Sequence, residues 1–192
     1  MKNLFKEMVK QIEQGNDMVL VSVVASSGST PRGTGAKMLI TKAGRVIGTV
    51  GGGAVEYHSE QIAAEVLTEK KSKTKFFRLK PNEVADIGMI CGGDVLIWFQ
   101  YLSADDRQEL EILNAIMKMQ KEREQSWLFT EITPDCHTGL IAYSQSKGLL
   151  GFDGSAEEAA QLTANLSHKP EQRTVGDRKF QIEPLVKAGK VY

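Results

Sequence analysis

Apolar and polar residues follow two rhythms along the chain, one typical of helices and one typical of buried strands. Apolar residues recur every three to four positions from Lys2 to Glu13, which predicts an amphipathic helix. The segment from Met18 to Ser26 is an almost unbroken aliphatic and β-branched run, which predicts a strand covered on both faces at the centre of a sheet. The remaining patterns predict helices over Ala54 to Lys70, Ala104 to Arg123 and Ala156 to Leu166, and strands over Lys37 to Thr41, Arg45 to Thr49, Thr74 to Leu79, Val95 to Tyr101, Trp127 to Thr133, Gly139 to Ser144 and Phe180 to Pro184.

Two of the predicted helices begin at residues with capping-box spacing. Ser103 stands three residues before Asp106, and Ser155 stands three residues before Glu158. In a capping box the first side chain accepts from a backbone N–H of the first turn, and the acidic side chain returns the bond. We therefore expect helices to start just after Ser103 and just after Ser155.

The alternation of helices with apolar strands favours a layered α/β fold, with a mixed sheet flanked by helices. We expect a single domain with two lobes, about 1–102 and 103–184. Three glycine-rich turns lie before Ser103, and the helices with capping-box spacing begin from Ser103 onward. Residues 185–192 then look like the start of a further strand.

Composition narrows the class of protein. Of 192 residues, 41% are hydrophobic and 25% are charged, which is typical of a globular protein with a packed core. Lys+Arg and Asp+Glu are 24 each, so the chain lacks the basic excess of a nucleic-acid binder. The longest apolar run is far shorter than the roughly 20 residues that cross a bilayer. We expect a cytoplasmic protein that does not bind membranes or nucleic acid.

Three glycine-rich turns could carry chemistry, and the first is Gly51, Gly52 and Gly53, between a predicted strand and a predicted helix. Residues without side chains let backbone N–H groups approach an anion, which the helix dipole also favours. The triplet matches neither the dinucleotide-binding fingerprint nor the P-loop. A tight turn with no ligand is the alternative.

The second turn runs from Ser26 to Gly35 and concentrates hydroxyl groups around one guanidinium. Arg32 could form a forked pair of hydrogen bonds with a phosphate or a carbonyl edge. The alternative is a surface loop whose hydroxyls bond its own backbone. The residues of this loop that we single out as ligand contacts are Ser27, Ser29, Thr30 and Arg32.

The third turn holds Cys91, flanked by Gly92 and Gly93. Exposure and nearby N–H donors would stabilise a thiolate, which can ligate a soft metal or carry sulfide. An isolated cysteine is more often a small buried hydrophobe. Cys136 and His137 are adjacent but too isolated to bind a metal alone, and their role stays open.

Three ordered blocks resemble the XdhC/CoxI family, the accessory proteins of xanthine dehydrogenase. The blocks are Val19 to Met38, with its Ser-Ser-Gly-Ser-Thr-Pro-Arg-Gly centre, Gly48 to Glu56, and the Cys-Gly-Gly block that begins at Cys91. The ending from Phe180 to Leu185 resembles the family's lead into a second, Rossmann-type domain. The resemblance implies that residues 1–184 form the family's N-terminal domain and that the Rossmann domain is missing from this chain.

The resemblance implies a chaperone without catalytic residues, which binds molybdenum cofactor (molybdopterin) transiently and aids its insertion into an apo xanthine dehydrogenase-type molybdenum hydroxylase. A cysteine desulfurase and a second copy of the chain are the further partners that it implies. On this basis Gly51 to Gly53, with Arg32, would bind the phosphate of the cofactor and Ser26 to Thr30 would contact the pterin. Cys91 would serve as the metal or sulfur ligand, and Lys37, Glu56, Gly92 and Gly93 complete the set of predicted cofactor-binding residues.

Two functions of other classes stay open at the level of sequence. In the first, the chain is a phosphate- or nucleotide-binding enzyme domain with Cys91 as its nucleophile. In the second, the chain is a structural assembly factor that holds a hydroxylase subunit open without touching the cofactor.

Overall fold

A computed structural model describes residues 2–28, 32–79, 93–133 and 139–185 of the chain. These residues divide between two compact units. The first unit is Lys10–Asp105, and the second unit combines Met1–Val9 with Asp106–Tyr192. In chain order the elements are α1 (Lys2–Glu13), β1 (Met18–Gly28), β2 (Lys37–Thr41), β3 (Gly44–Gly48), α2 (Gly53–Glu69), β4 (Lys73–Leu79), β5 (Gly93–Leu102), α3 (Arg107–Glu122), β6 (Ser126–Glu131), β7 (Ile141–Ser144), β8 (Gly148–Leu150), α4 (Ala156–Thr163), β9 (Glu171–Val175) and β10 (Arg178–Pro184).

The first unit is built on a five-stranded sheet in the order β3-β2-β1-β5-β4, with every neighbouring pair antiparallel. β1 is the middle strand, as its unbroken apolar run predicts. Alternate residues of β1, namely Val19, Val21 and Val23, pack with α2 residues such as Val55 and Val66 in one hydrophobic core. Burial of this apolar face is the main force that holds α2 on the sheet.

The second unit contains another five-stranded antiparallel sheet, in the order β8-β7-β6-β10-β9. Phe129, Phe180 and Ile182 form its core together with Leu162 of α4. Two of its strands, β8 and β9, have no counterpart in the sequence-based prediction. β8 has only three residues and β9 contains a single buried residue, so neither has a clear period-two pattern.

The predicted α/β class, with helices layered on sheets, is confirmed, but the arrangement of strands differs from a single mixed sheet. Each unit has its own sheet, and all pairings described are antiparallel. A strand, a helix and a strand in succession suggest a parallel pair. Here α2 instead carries the chain from β3 at one edge of the sheet to β4 at the other. The assignment of residues 1–184 to one domain stays a prediction.

The two capping-box predictions have different outcomes. The box at Ser155 is confirmed, because its Oγ accepts from the N–H of Glu158 and its N–H donates to the carboxylate of Glu158. The start at Ser103 is wrong, since α3 begins at Arg107 and its N-terminal cap is Asp106. The Ser103 hydroxyl is used in a turn instead, where it accepts from the N–H of Asp105. No helix in the described part of the chain is long and apolar enough to cross a membrane.

Candidate functional site

The glycine-rich turns join the first unit at one end of its sheet. β1, β3 and β4 run toward this end, and β2 and β5 start there, because each strand is antiparallel to its neighbours. Gly28 is paired with Gly93, and Gly93 is paired with Leu79. Segments 29–31 and 80–92, which lie outside the described residues, therefore join the chain at neighbouring strand ends. The Gly51 to Gly53 turn follows β3 at this same end of the sheet.

The strand ends at this edge are not level with one another. β2 begins beside Ser22 of β1, whereas β5 begins beside Gly28. Six residues of extended strand separate the two positions, which corresponds to roughly 20 Å along β1. The end of β3 leads into the glycine turn, and the ends of β4 and β5 lead into the Cys91 segment. These two places are thus offset by about this distance along the sheet.

The turn before α2 leaves the start of the helix open. Gly52 is the N-terminal cap, and no side chain caps the first-turn N–H groups there. A Cβ added to Gly52 would meet no atom of the described residues within 4 Å. Gly53 has a φ of 53°, which favours glycine. N–H groups at a helix start that no described side chain caps are suited to an anion.

Glu56 lies in the first turn of α2, and its carboxylate is paired with Arg45, which also pairs with Glu60 at 3.5 Å. Its carboxylate accepts hydrogen bonds from Arg45 Nη1 at 2.6 Å and from the hydroxyl of Thr49. Partial burial raises the pKa of Glu56, but the bonds from Thr49 and Arg45 outweigh burial, so the pKa is lowered overall. Glu56 is therefore ionised at neutral pH and paired with Arg45.

Thr49 connects this ion pair to the glycine turn. Its Oγ1 accepts a hydrogen bond from the N–H of Gly51 at 3.3 Å while its hydroxyl contacts Glu56. The N–H of Thr49 also donates to the carbonyl of Lys37 on β2 at 3.0 Å. These bonds fix the turn relative to the sheet. Thr49 lies inside a block that the sequence analysis singled out, but Arg45 is eleven residues from Glu56 and has no local signal of its own.

Lys37 is not directed at the glycine turn. Its neighbour Met38 packs in the core beneath α2, and side chains alternate between the faces of a strand, so Lys37 points to the opposite face. There it is buried, and its Nζ donates to Ser22 Oγ at 3.3 Å. The structure thus brings Glu56 close to the glycine turn and directs Lys37 away from it.

The other predicted contacts divide into described and undescribed residues. Ser27 is exposed near the end of β1 and is paired with Asp94, and Arg32 is exposed in the loop before β2. Gly93 opens β5 and is half-buried. Four predicted contacts lie outside the described residues, namely Ser29, Thr30, Cys91 and Gly92. Cys136 and His137 also lie outside them. Within the described ranges, no group of three or more His, Cys, Asp or Glu side chains is arranged to hold a metal ion.

Comparison with protein families confirms the resemblance over part of the chain. Residues 11–78 match the model of the XdhC and CoxI family. This range includes two of the three blocks on which the resemblance depends, Val19 to Met38 and Gly48 to Glu56. The block at Cys91 lies beyond it.

Two individual proteins are also similar to this chain. The uncharacterized protein YqeB of Escherichia coli (strain K12) is 34% identical over 96 residues, which are 50% of this chain and 18% of that protein. The crystal structure of a xanthine dehydrogenase from Bacillus halodurans matches with a TM-score of 0.68 and 15% identity, over 94% of this chain and 52% of that chain. The second likeness shows a shared fold. The chain thus spans about half of the similar structure and less than a fifth of the E. coli protein.

Proposed function

We propose that this chain binds molybdenum cofactor as a cargo and aids its insertion into an apo xanthine dehydrogenase-type molybdenum hydroxylase. The family match at residues 11–78 supports an accessory role of this kind. The observation that carries the proposal is the start of α2, where no described side chain caps the helix. The strand ends that lead toward the other two glycine-rich segments lie at the same end of the sheet, roughly 20 Å farther along β1. A cargo with a phosphate group needs such an anion site.

The start of α2 suits the phosphate end of this cargo. The N–H groups of the first turn have no side-chain cap, and the absence of a side chain at Gly52 leaves room for close approach. Glu56 would repel a phosphate if it stood alone, but Arg45 pairs with it at 2.6 Å and offsets part of this charge, since Arg45 also pairs with Glu60 at 3.5 Å. The phosphate site that we propose therefore consists of the Gly51 to Gly53 turn with Arg32. The N–H of Gly51 donates to Thr49 Oγ1, so Gly52 and Gly53 would supply the N–H donors of the turn. Lys37, on the other face of the sheet, is not part of it.

For the pterin and metal ends of the cargo, the proposal depends on residue chemistry. Hydroxyl groups of Ser27, Ser29 and Thr30 can bond the polar edge of a pterin. The Cys91 thiolate can ligate molybdenum or carry its sulfur. The partners that we propose are the apo-hydroxylase, a cysteine desulfurase and a second copy of the chain. The chain would act in the cytoplasm and without catalytic turnover.

Binding of released cofactor under anaerobic conditions tests the proposal. Wild type should retain molybdenum and pterin fluorescence on size-exclusion chromatography. Gly52→Ala should bind the cofactor about tenfold more weakly, since the added methyl group stands where the phosphate approaches, and a tenfold loss is about 1.4 kcal/mol. Gly148→Ala is the control, because a Cβ there also meets no described atom within 4 Å and Gly148, in the second unit, belongs to none of the three glycine-rich turns. It should bind like wild type.

Cys91→Ser separates the metal end from the phosphate end. Loss of molybdenum with retention of pterin would support a sulfur ligand at Cys91. Equal cofactor binding by wild type, Gly52→Ala and Cys91→Ser would refute the proposed site. If wild type binds no cofactor yet still activates the apo-hydroxylase, the chain is a structural assembly factor. Turnover of a phosphorylated substrate that is abolished by Cys91→Ala would indicate an enzyme instead.

A further inference from the structure

Glu109 of the second unit occupies an unusual position for an acidic residue at the start of a helix. It is the third residue of α3, and the cap residue Asp106 accepts from the N–H groups of Gln108 and Glu109. In α4 the equivalent residue, Glu158, reaches back through solvent to the N–H of its own cap. Glu109 does not do so. It turns inward, is 3% exposed, and its Oε1 accepts from the N–H of Leu140 at 2.8 Å, just before β7.

The second oxygen of Glu109 has no hydrogen-bond partner among the described residues. Oε2 is buried, and Glu109 lines a cavity of about 170 Å³ together with Asp106, Phe152 and Asp153. The charged groups described around this cavity offer no compensation. Asp106 and Asp153 are themselves acidic, and Arg178, which bonds Asp153, is also engaged by Glu131. A buried carboxylate without a cation is strongly disfavoured.

The pKa values of the two acidic residues at this helix position are consequently shifted in opposite directions. Burial raises the pKa of Glu109 to about 7, with a further increase from the charge of Asp106 and a partial decrease from the Leu140 bond. At the start of α4, the N–H and hydroxyl of Ser155 lower the pKa of Glu158. The inward turn of Glu109 therefore changes a solvent-exposed cap into a buried proton-binding group.

We propose that Glu109 is a proton-controlled latch, which in its neutral form holds the backbone at Gly139 and Leu140 against the start of α3. The fit at this point is close, since a Cβ on Gly139 would lie 1.8 Å from Oε1 of Glu109. A side chain at this position would displace the carboxyl group of Glu109. When Glu109 loses its proton, the charge has no cationic partner among the described residues around it, and the side chain moves toward water and releases Leu140.

The direction and size of the effect follow from proton linkage. In the closed form Glu109 is buried and bonded to Leu140, and in the open form its carboxyl is in water and has an ordinary pKa. The closed form therefore binds the proton more tightly. Closure is therefore fully stabilised below about pH 4.3, weakens as the pH rises from there to about 7, and levels off above about pH 7. With an open-state pKa of about 4.3, the opening equilibrium should increase roughly tenfold between about pH 6 and about pH 8.

Amide hydrogen exchange at Leu140, followed by NMR and corrected for the intrinsic pH dependence of exchange, tests the latch. In wild type the protection of this amide should fall roughly tenfold from about pH 6 to about pH 8. In Glu109→Gln, which keeps the acceptor oxygen but cannot ionise, protection should not change with pH. Glu158→Gln, the matched control at the exposed capping box, should retain the wild-type profile at Leu140.

A direct titration keeps the latch testable if Glu109→Gln does not fold. The carbon-13 shift of the Glu109 carboxyl should titrate near pH 7 in wild type. A midpoint near the ordinary value of glutamate would overturn the proposal. So would pH-independent protection of Leu140 in wild type, or a pH dependence that persists unchanged in a folded Glu109→Gln variant.

Discussion

Gly48→Ala should lower the free energy of unfolding by about 3 kcal/mol, the larger end of what backbone strain and overpacking produce. Gly48 ends β3 with a φ of 88°, a conformation that residues with a side chain rarely adopt. A Cβ there would lie 2.3 Å from the carbonyl oxygen of Lys37. That carbonyl cannot move away freely, because it accepts from the N–H of Thr49 at 3.0 Å.

Urea unfolding at equilibrium measures this effect, and Gly52→Ala is its matched control. Gly52 has an extended backbone with a φ of 161°, and a Cβ there has free space around it, so we expect a change within about 0.5 kcal/mol. Equal stability of the two variants would mean that the hairpin register at Gly48 is wrong. With the expected result, Gly48 has a structural role, and loss of cofactor binding in Gly52→Ala can be attributed to the site.

This difference between two glycines of one block marks a limit of sequence analysis. The strand-to-helix turn could be predicted from Gly51, Gly52 and Gly53, since three adjacent glycines between apolar segments favour a turn. The distinct role of Gly48 could not. It depends on the pairing of Gly48 with Met38 across the β2–β3 hairpin, which brings the backbone of Lys37 close. Pairing across a hairpin is a tertiary property and has no local sequence pattern.

Strands with a buried face were predictable, and strands with little burial were not. β1 is buried from Met18 to Val24, and its apolar run identified both the element and its central position. β9, Glu171–Val175, lies at an edge of the second sheet and has one fully buried residue. Its order comes from hydrogen bonds to β10 rather than from its own apolar residues. Periodicity reports burial, so it fails where pairing alone makes the strand.

Side-chain direction explains the mixed outcome at the candidate site. Glu56 could be placed near the glycine turn because it lies one helical turn after Gly53. Its partner Arg45 belongs to β3, and only the packing of α2 brings the two together. Lys37 lies next to Met38 in sequence, but the period of two in a strand sends them to opposite faces. Deciding which one faces α2 requires the register of the whole sheet.

Arg178→Ala should destabilise the second unit by about 3 kcal/mol, close to the loss expected when one partner of a buried ion pair is removed. The guanidinium of Arg178 donates from Nε and Nη2 to the two oxygens of Glu131, at 3.0 and 2.7 Å. It also donates to Asp153 at 2.7 Å and lies 4.9 Å from the centre of the Phe152 ring. Glu131 is 3% exposed, so the substitution removes the forked cation from a carboxylate that cannot reach bulk water.

Arg78→Ala provides the matched control for thermal and urea unfolding of Arg178→Ala. Arg78 also lies on a strand, contacts an aromatic ring and faces a carboxylate, but its side chain is 58% exposed and the Asp94 oxygen is 3.9 Å away. Exposed pairs contribute little, so its loss should change stability by less than about 0.5 kcal/mol. Arg178→Lys should fall between the two, because an ammonium keeps the charge but not the fork. If Arg178→Ala proves no more destabilising than Arg78→Ala, Glu131 must be protonated or hydrated in the folded state, and the ion pair would not stabilise the second unit.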